Sequence, residues 1–185
     1  MTEPPTEPPT EPPTEPPPPA ALALMEVATE IERHVAATGW DQPPRLYALV
    51  DTADLVHREP GLAATLGLAG PVQPLTPIEQ ESLPEGRDGS TDLAEVLAVV
   101  GWPEEVLGCA LALEVMWGED DERPTAPSQA RGEGRLAVAV LRDGRRAAVL
   151  RLRAKLEEAA GEEDLLAGED LAPELAEALA ATLEP

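Results

Sequence analysis

Residues 135–154 read RLAVAVLRDGRRAAVLRLRA, and the local pattern of this segment strongly indicates one supersecondary structure. Two runs rich in Leu, Val and Ala flank Asp143-Gly144, and Asp-Gly favours the two-residue turn whose twist matches paired strands. The pattern predicts a β-hairpin. With Arg142 opposite Arg145, the expected facing pairs are Val140–Ala147, Val138–Val149 and Leu136–Arg151. Both faces are apolar, so other strands and helices must cover the hairpin.

Two more strands are predicted upstream. Residues 45–50, RLYALV, form a short apolar run, and residues 107–117, LGCALALEVMW, alternate strictly between two faces. In the longer run, one face carries Cys109, Leu111, Leu113, Val115 and Trp117, and the other carries Ala110, Ala112, Glu114 and Met116.

Helical patterns fill the intervening segments. A stripe of Leu24, Ala28, Ile31 and Val35 predicts a helix from residue 20 that ends at Gly39. Further helices are predicted from about residue 53, over 92–100 and over 173–183, and Thr76-Pro77-Ile78-Glu79 has the form of a capping box that starts a helical turn. The fold class is α+β, with an antiparallel three-strand meander plus one further strand, packed with three to five helices. The pairing of the first strand is open, and a crossover through the helices can make it parallel.

The chain divides into a tail and one domain. Residues 2–17 are four copies of Thr-Glu-Pro-Pro, a composition that favours a solvated polyproline II rod, so residues 1–19 are expected to be a disordered tail. The tail is either a solubilising spacer or, through its Pro-x-x-Pro spacing, a ligand for aromatic grooves. Residues 20–185 are predicted to be a single α+β domain with a mobile connection at 118–134.

Composition narrows the class of protein. The 185 residues include 13 basic and 36 acidic side chains, giving a formal charge of -23, which disfavours nucleic acid and anionic membranes as partners. The single Cys109 excludes an intrachain disulfide and a cysteine-cluster zinc site, and two histidines disfavour a His-based metal site, so no metal ligand is assigned. No apolar run approaches the length of a membrane span, and the acidic N-terminus is unlike a signal peptide. These features predict a cytoplasmic protein without a cofactor.

Few residues suit catalysis. The phosphate-binding glycine loop, the nucleophile elbow and the His-Glu metal motif are all missing from the sequence. Cys109 is expected to be a buried small hydrophobe, His34 a helix-end residue satisfied by a neighbour, and Asp51 a helix cap. Glu114 is expected to pair with an arginine of the hairpin, in preference to acting as a catalytic acid. No catalytic residue is therefore assigned.

The basic residues are unevenly distributed, since eight of the 13 lie between 131 and 155. Arginine clusters bind phosphate or acidic partners, but the acidic run that follows can also neutralise them. The candidate ligand or partner patch is Arg142, Arg145, Arg146, Arg151 and Arg153.

Several segments together resemble an uncharacterised family of small actinobacterial proteins: TGWDQPPRLYALVDTADLV, LTPIEQESLPEG, GWPEEVLGCALALE, VLRDGRRAAVLRLR and LAPELAEALAATL. The similarity covers most of 20–183 and implies no activity. The element order is also similar in outline to small secretion-chaperone-like α+β domains, which bind protein chains across a sheet and helix surface.

Three functions follow as hypotheses. The first is a non-enzymatic domain that binds another protein or dimerises. The second is a small-molecule or phosphate-binding regulator that uses the hairpin arginines. The third is an enzyme, which the sparse acid–base and nucleophilic groups disfavour.

Overall fold

The computed structural model describes residues 19–67, 73–80, 83, 93–117, 132–153 and 165–184. These residues form helices α1 to α5 and strands β1 to β6. In chain order they are α1 (Pro19–Ala36), β1 (Arg45–Asp51), α2 (Thr52–Arg58), α3 (Pro60–Thr65), β2 (Leu75–Glu79), α4 (Leu93–Leu97), β3 (Val106–Trp117), β4 (Gly132–Leu141), β5 (Arg146–Leu152), β6 (Leu165–Gly168) and α5 (Pro173–Thr182). The predicted α+β class is confirmed.

The strands form one sheet in the order β2-β1-β3-β4-β5-β6, and every neighbouring pair is antiparallel. The predicted meander of three strands is present as β3-β4-β5. The prediction of one further strand was too low, because β1, β2 and β6 all join the sheet. The first strand is antiparallel to both of its neighbours, which excludes the parallel crossover left open from the sequence.

The hairpin is present, but its predicted register was wrong by one residue. Val138 faces Ala148 and Leu136 faces Leu150, so Arg151 faces Arg135 instead of Leu136. The cause is the turn: Gly144 alone has a positive φ, of 88°, and Leu141 and Arg145 close a three-residue loop. A two-residue Asp-Gly turn would need positive φ at both positions.

Strand β2 occupies the segment predicted to begin a helical turn. Leu75 packs under α1 and Ile78 packs on the opposite face of the sheet, so a period of two suits this segment better than a helical period. Pro77 is tolerated because β2 is an edge strand of the sheet. The buried hydroxyls of Thr52 and Thr76 lie 2.8 Å apart and tie β2 to the start of α2.

The two sheet faces are covered by different helices. The apolar stripe of α1 packs on one face with Tyr47, Leu49, Ala110, Ala137 and Val149, among others. Helices α4 and α5 lie on the other face, where Leu97 and Leu179 belong to one core cluster with Cys109, Leu111 and Val138. The predicted alternation of β3 is confirmed, since Cys109 and Leu111 face α5 while Ala110 and Ala112 face α1.

Other boundaries differ slightly from the predictions. Helix α1 already includes Pro19, the last residue assigned to the tail, and β4 begins at Gly132, inside the predicted connection. The rest of the tail, residues 118–131 and the start of the helix predicted over 92–100 lie outside the described residues. Residues 104–105 form a turn before β3. None of the described helices is long and apolar enough to cross a bilayer.

Candidate functional site

The five arginines of the predicted patch are placed at two ends of the β4–β5 hairpin. Arg142, Arg145 and Arg146 lie at the turn, whereas Arg151 and Arg153 lie at the far end of β5. Arg151 lies five positions after Arg146 along β5, a span of roughly 16 Å. The structure therefore does not bring the five guanidinium groups into one patch.

At the turn, Arg142 acts as a structural tie. Its guanidinium donates hydrogen bonds to the carbonyl oxygens of Val106, Trp102 and Pro103, and also to that of Leu183 at the end of α5. Four backbone acceptors from three segments thus converge on one side chain. The guanidinium of Arg142 is therefore used for contacts within the protein, and not for a ligand.

The other two turn arginines each contact a carboxylate. Arg145 pairs with Asp143, and Arg146 Nη2 lies 2.7 Å from Asp170 Oδ1. The Arg145 side chain holds the pKa of Asp143 below its usual value through its hydrogen bond and charge. Both arginines line an open cleft of about 390 Å³, together with Asp143, Gly144 and Glu169.

The far end of the hairpin carries an ionic row. The register places Glu114, Arg135 and Arg151 side by side on β3, β4 and β5, on the face that α1 covers. Glu32 of α1 lies above them, with its carboxylate 2.7 Å and 2.8 Å from Arg151 and 3.6 Å from Arg135. The side chains of Glu32 and Arg135 are 0% and 2% exposed, so this is a buried ion network.

The same network fixes the loop between α1 and β1. The backbone N–H groups of Asp41 and Gln42 donate to the two carboxylate oxygens of Glu114, at 3.0 Å and 3.2 Å. Arg135 donates to the carbonyl oxygen of Gly39. Asp41 has φ of 64°, a conformation that Asp tolerates better than most residues. The expected ion pair between Glu114 and a hairpin arginine is therefore present, and it clamps this loop.

The exposed rim of the network combines aromatic, apolar and charged side chains. Trp40 is half-buried, and the guanidinium carbons of Arg135 and Arg153 lie 4.4 Å and 5.0 Å from its ring centroid. Arg153 also lies 2.8 Å from Glu133. Met116, opposite Glu133 in the sheet, is 82% exposed. We call Trp40, Asp41, Met116, Glu133 and Arg153 the corner patch.

The charges of the corner are balanced within the protein. Carboxylate oxygens of Asp41, Glu114 and Glu133 lie within 4.8 Å of one another, a spacing at which three carboxylates can hold a cation. Here each carboxylate is paired with the guanidinium group of Arg135 or Arg153, although the three negative charges outnumber these two positive ones. The arrangement is suited to positioning side chains and to presenting a rigid surface.

Sequence reasoning missed most of this corner. Trp40 and Trp102 are both half-buried at the edge of the interior, and the indole N–H of Trp102 donates to the Thr182 hydroxyl. Glu32 was not singled out, although it lies four residues after Ala28 and three before Val35, on the apolar stripe of α1. A carboxylate on such a stripe is a usable signal for a buried ion pair.

The other residues that could carry chemistry make structural contacts or lie exposed. Cys109 is fully buried with its sulfur 3.6 Å from the Leu179 carbonyl oxygen, and burial raises the pKa of its thiol to about 11. Asp51 accepts the backbone hydrogen of Asp54, as predicted for a helix cap. His34 lies 3.6 Å from Glu79, and His57 is exposed.

The fold and site together define an α+β protein whose six-stranded antiparallel sheet lies between helices and carries a buried ion network at one end. Residues 24–184 match the family model described as PPA1309-like protein, so the chain belongs to this family. The predicted membership of an uncharacterised family is confirmed; an actinobacterial source stays a prediction. No curated protein and no solved structure matches the chain.

Proposed function

We propose that this chain is a non-enzymatic, cytoplasmic domain that binds another protein, or a second copy of itself, through the corner patch. The observation that carries the proposal is that the exposed Met116 lies opposite Glu133, whose partner Arg153 lies over the ring of the half-buried Trp40. Trp, Met and Arg are enriched in protein interfaces, and the corner presents all three.

Rigidity of the corner supports the proposal. Arg135 and Glu114 fix the Gly39–Gln42 backbone from below, so Trp40 and Asp41 are held in place before any partner arrives. A surface that is already ordered loses little conformational entropy on binding. An exposed loop of the same composition without these contacts would lose more conformational entropy on association.

Charge pairing at the corner argues against an enzymatic role. Glu32, Glu114 and Glu133 each contact an arginine, and the carboxylate of Asp41 lies 3.5 Å from Arg153. These contacts direct the carboxylates toward the protein's own arginines, whereas a general acid or base must be directed at a proton of its substrate. A cytoplasmic location is supported by the lone, buried Cys109, which has no partner for an intrachain disulfide.

The test uses two matched substitutions. Met116 and Val99 are 82% and 83% exposed, and Val99 follows α4, which packs on the opposite sheet face. Met116→Asp places a charge in the patch, whereas Val99→Asp places one elsewhere at equal exposure. We expect Met116→Asp alone to reduce dimer mass in light scattering, or to release a partner captured from extracts of the source cells.

Two results would contradict the proposal. If both variants retain the same mass and the same captured partner as the parent, the corner patch is not the interface. If Val99→Asp alone loses the partner, binding occurs through the α4 side of the sheet.

A second candidate is a phosphate-binding regulator, favoured by the cleft that Arg145 and Arg146 line at the turn. Asp143, Glu169 and Asp170 lie beside these arginines and weaken the case. Inorganic phosphate should raise the melting temperature of the parent but not of Arg145→Gln/Arg146→Gln. Arg142 is left intact in this test because it supports the fold. An equal response of both proteins would exclude the turn as the phosphate site.

A further inference from the structure

An unsatisfied hydroxyl lies under α1, away from the corner patch. Tyr47 of β1 is 3% exposed, and its hydroxyl makes no well-formed hydrogen bond with a described residue, although the side chains of Arg45 and Glu79 lie near it. Burial, followed by the charge of Glu79, raises the pKa of Tyr47 to about 12, so the hydroxyl keeps its proton near neutral pH. Buried donors without an acceptor are rare in folded proteins because they lose their bond to water.

Three donors converge on one loosely held carboxylate at this point. Glu79 lies opposite Tyr47 in the β1–β2 pairing. Its carboxylate oxygens lie 3.5 Å from Arg45 Nη1 and 3.6 Å from His34 Nε2. Charge-assisted hydrogen bonds are normally about 2.7–2.9 Å long, so Glu79 satisfies none of these donors well.

We propose that Tyr47, Arg45 and His34 form a binding site for a carboxylate group, which the side chain of Glu79 occupies imperfectly. A guanidinium, an imidazole and a phenol hydroxyl are the donors that recognise carboxylates in proteins. The proposal is independent of the corner patch, because none of these side chains belongs to it.

Glu79 can make way for a ligand. It is the last residue of edge strand β2, and its side chain is 41% exposed, so it can turn toward water with little loss of packing. Arg45 is held in place meanwhile by hydrogen bonds to Gln42 and Thr38. The departing carboxylate would leave a space bordered by Arg45, His34 and the Tyr47 hydroxyl. A ligand carboxylate placed there gives the hydroxyl the acceptor it lacks.

The two histidines of the chain make a direct test possible. His34 borders the proposed site, and His57 is exposed on α2 and serves as an internal reference. The full chain is titrated with sodium acetate at fixed pH and ionic strength while the ring signals of both histidines are followed by NMR. We expect a saturable change for His34 and none for His57.

Variants identify the groups responsible. Glu79→Gln weakens the internal competitor and should tighten acetate binding by about threefold or more. Tyr47→Phe keeps the ring and the packing, and should weaken acetate binding while the melting temperature stays equal or rises. Asp54→Asn, another exposed carboxylate that lies near an arginine, is the matched control and should change neither.

The source of the carboxylate is resolved with a short neutral peptide, offered with a free or an amidated C-terminus. Saturation by the free peptide but not by acetate assigns the site to a protein terminus, and saturation by both assigns it to carboxylates in general. A linear or equal response of both histidines to every probe would overturn the proposal. So would unchanged acetate binding in Tyr47→Phe, since the hydroxyl would then take no part in binding the carboxylate.

Discussion

The two ends of the β4–β5 hairpin carry the same residue type in different roles. At the far end, Arg135 and Arg151 are enclosed between the sheet and α1, with Glu32 between them. At the turn, Arg145 and Arg146 reach carboxylates while remaining 38% and 34% exposed. The hairpin sequence is rich in arginine at both ends, so local composition does not explain the difference.

The difference comes from what each end packs against. Helix α1 crosses β4 and β5 and brings a carboxylate on its apolar stripe over the far end. A guanidinium enclosed in this way needs a partner, because an unpaired buried charge is strongly destabilising. The turn arginines remain in contact with water, where ion pairs contribute little.

The largest expected effect is at the buried end. Glu32→Ala leaves Arg135 and Arg151 enclosed without their shared carboxylate, and we expect a loss of about 3–5 kcal/mol in the free energy of unfolding. Urea denaturation followed by Trp fluorescence measures it. Glu30→Ala, on the exposed side of the same helix, is the control and should change stability little. Equal effects of the two substitutions would show that the network adds nothing to stability.

A second prediction tests whether the turn end of the hairpin tolerates an added side-chain atom, as its exposed arginines suggest. Gly108 of β3 pairs with Leu141, and a Cβ there would overlap the Val140 carbonyl oxygen and lie 2.6 Å from a Leu141 methyl group. Gly108→Ala should therefore cost about 2–3 kcal/mol, because backbone must move. Gly61→Ala is the control, since a Cβ at Gly61 meets no atom within 4 Å. A Gly108→Ala protein with unchanged urea midpoint would contradict the close strand approach.

Arg142 sharpens the comparison, because it is exposed at the turn and still binds four carbonyl oxygens. Arg142→Ala should lower the free energy of unfolding by about 1–2 kcal/mol, less than a buried arginine because water replaces part of the bonding. Arg145→Ala, three residues away, should leave the melting temperature unchanged. If the two variants have the same melting temperature, the four hydrogen bonds of Arg142 do not stabilise the fold.

The sequence predicted the individual helices and strands better than the register and contacts between them. The hairpin, the two faces of β3 and the stripe of α1 each follow from a local period, which a short segment reveals. The register does not, because both faces of the hairpin are apolar and a slip of one residue leaves each face with Leu, Val and Ala. The predicted register placed Leu136 opposite Arg151, and so concealed the row of Glu114, Arg135 and Arg151.

The candidate sites depended on contacts between distant parts of the chain. Arg151 and Glu32 are 119 residues apart, and Asp41 and Glu114 are 73 apart. The order of β1 and β2 at the sheet edge brings Tyr47 beside Glu79, and the predicted helical turn at Thr76 had hidden that pairing. The prediction that Glu114 would meet a hairpin arginine was correct, but it linked residues only 21 apart, and it rested on the need of a lone carboxylate on an apolar strand face for a partner.

The smallest effect expected concerns Asp143, whose pKa the adjacent Arg145 side chain lowers. A carboxyl with a lowered pKa in the folded state stabilises the fold above its unfolded pKa, and that contribution disappears as the pH falls through the folded pKa. Arg145→Gln should move the Asp143 titration, followed by carbon NMR, to higher pH. Because both side chains are well exposed, the stability of parent and variant should differ only slightly even near neutral pH. An Asp143 that titrates identically in both proteins would show that the turn ion pair is absent in solution, and the contrast with the enclosed Arg151 would then be complete.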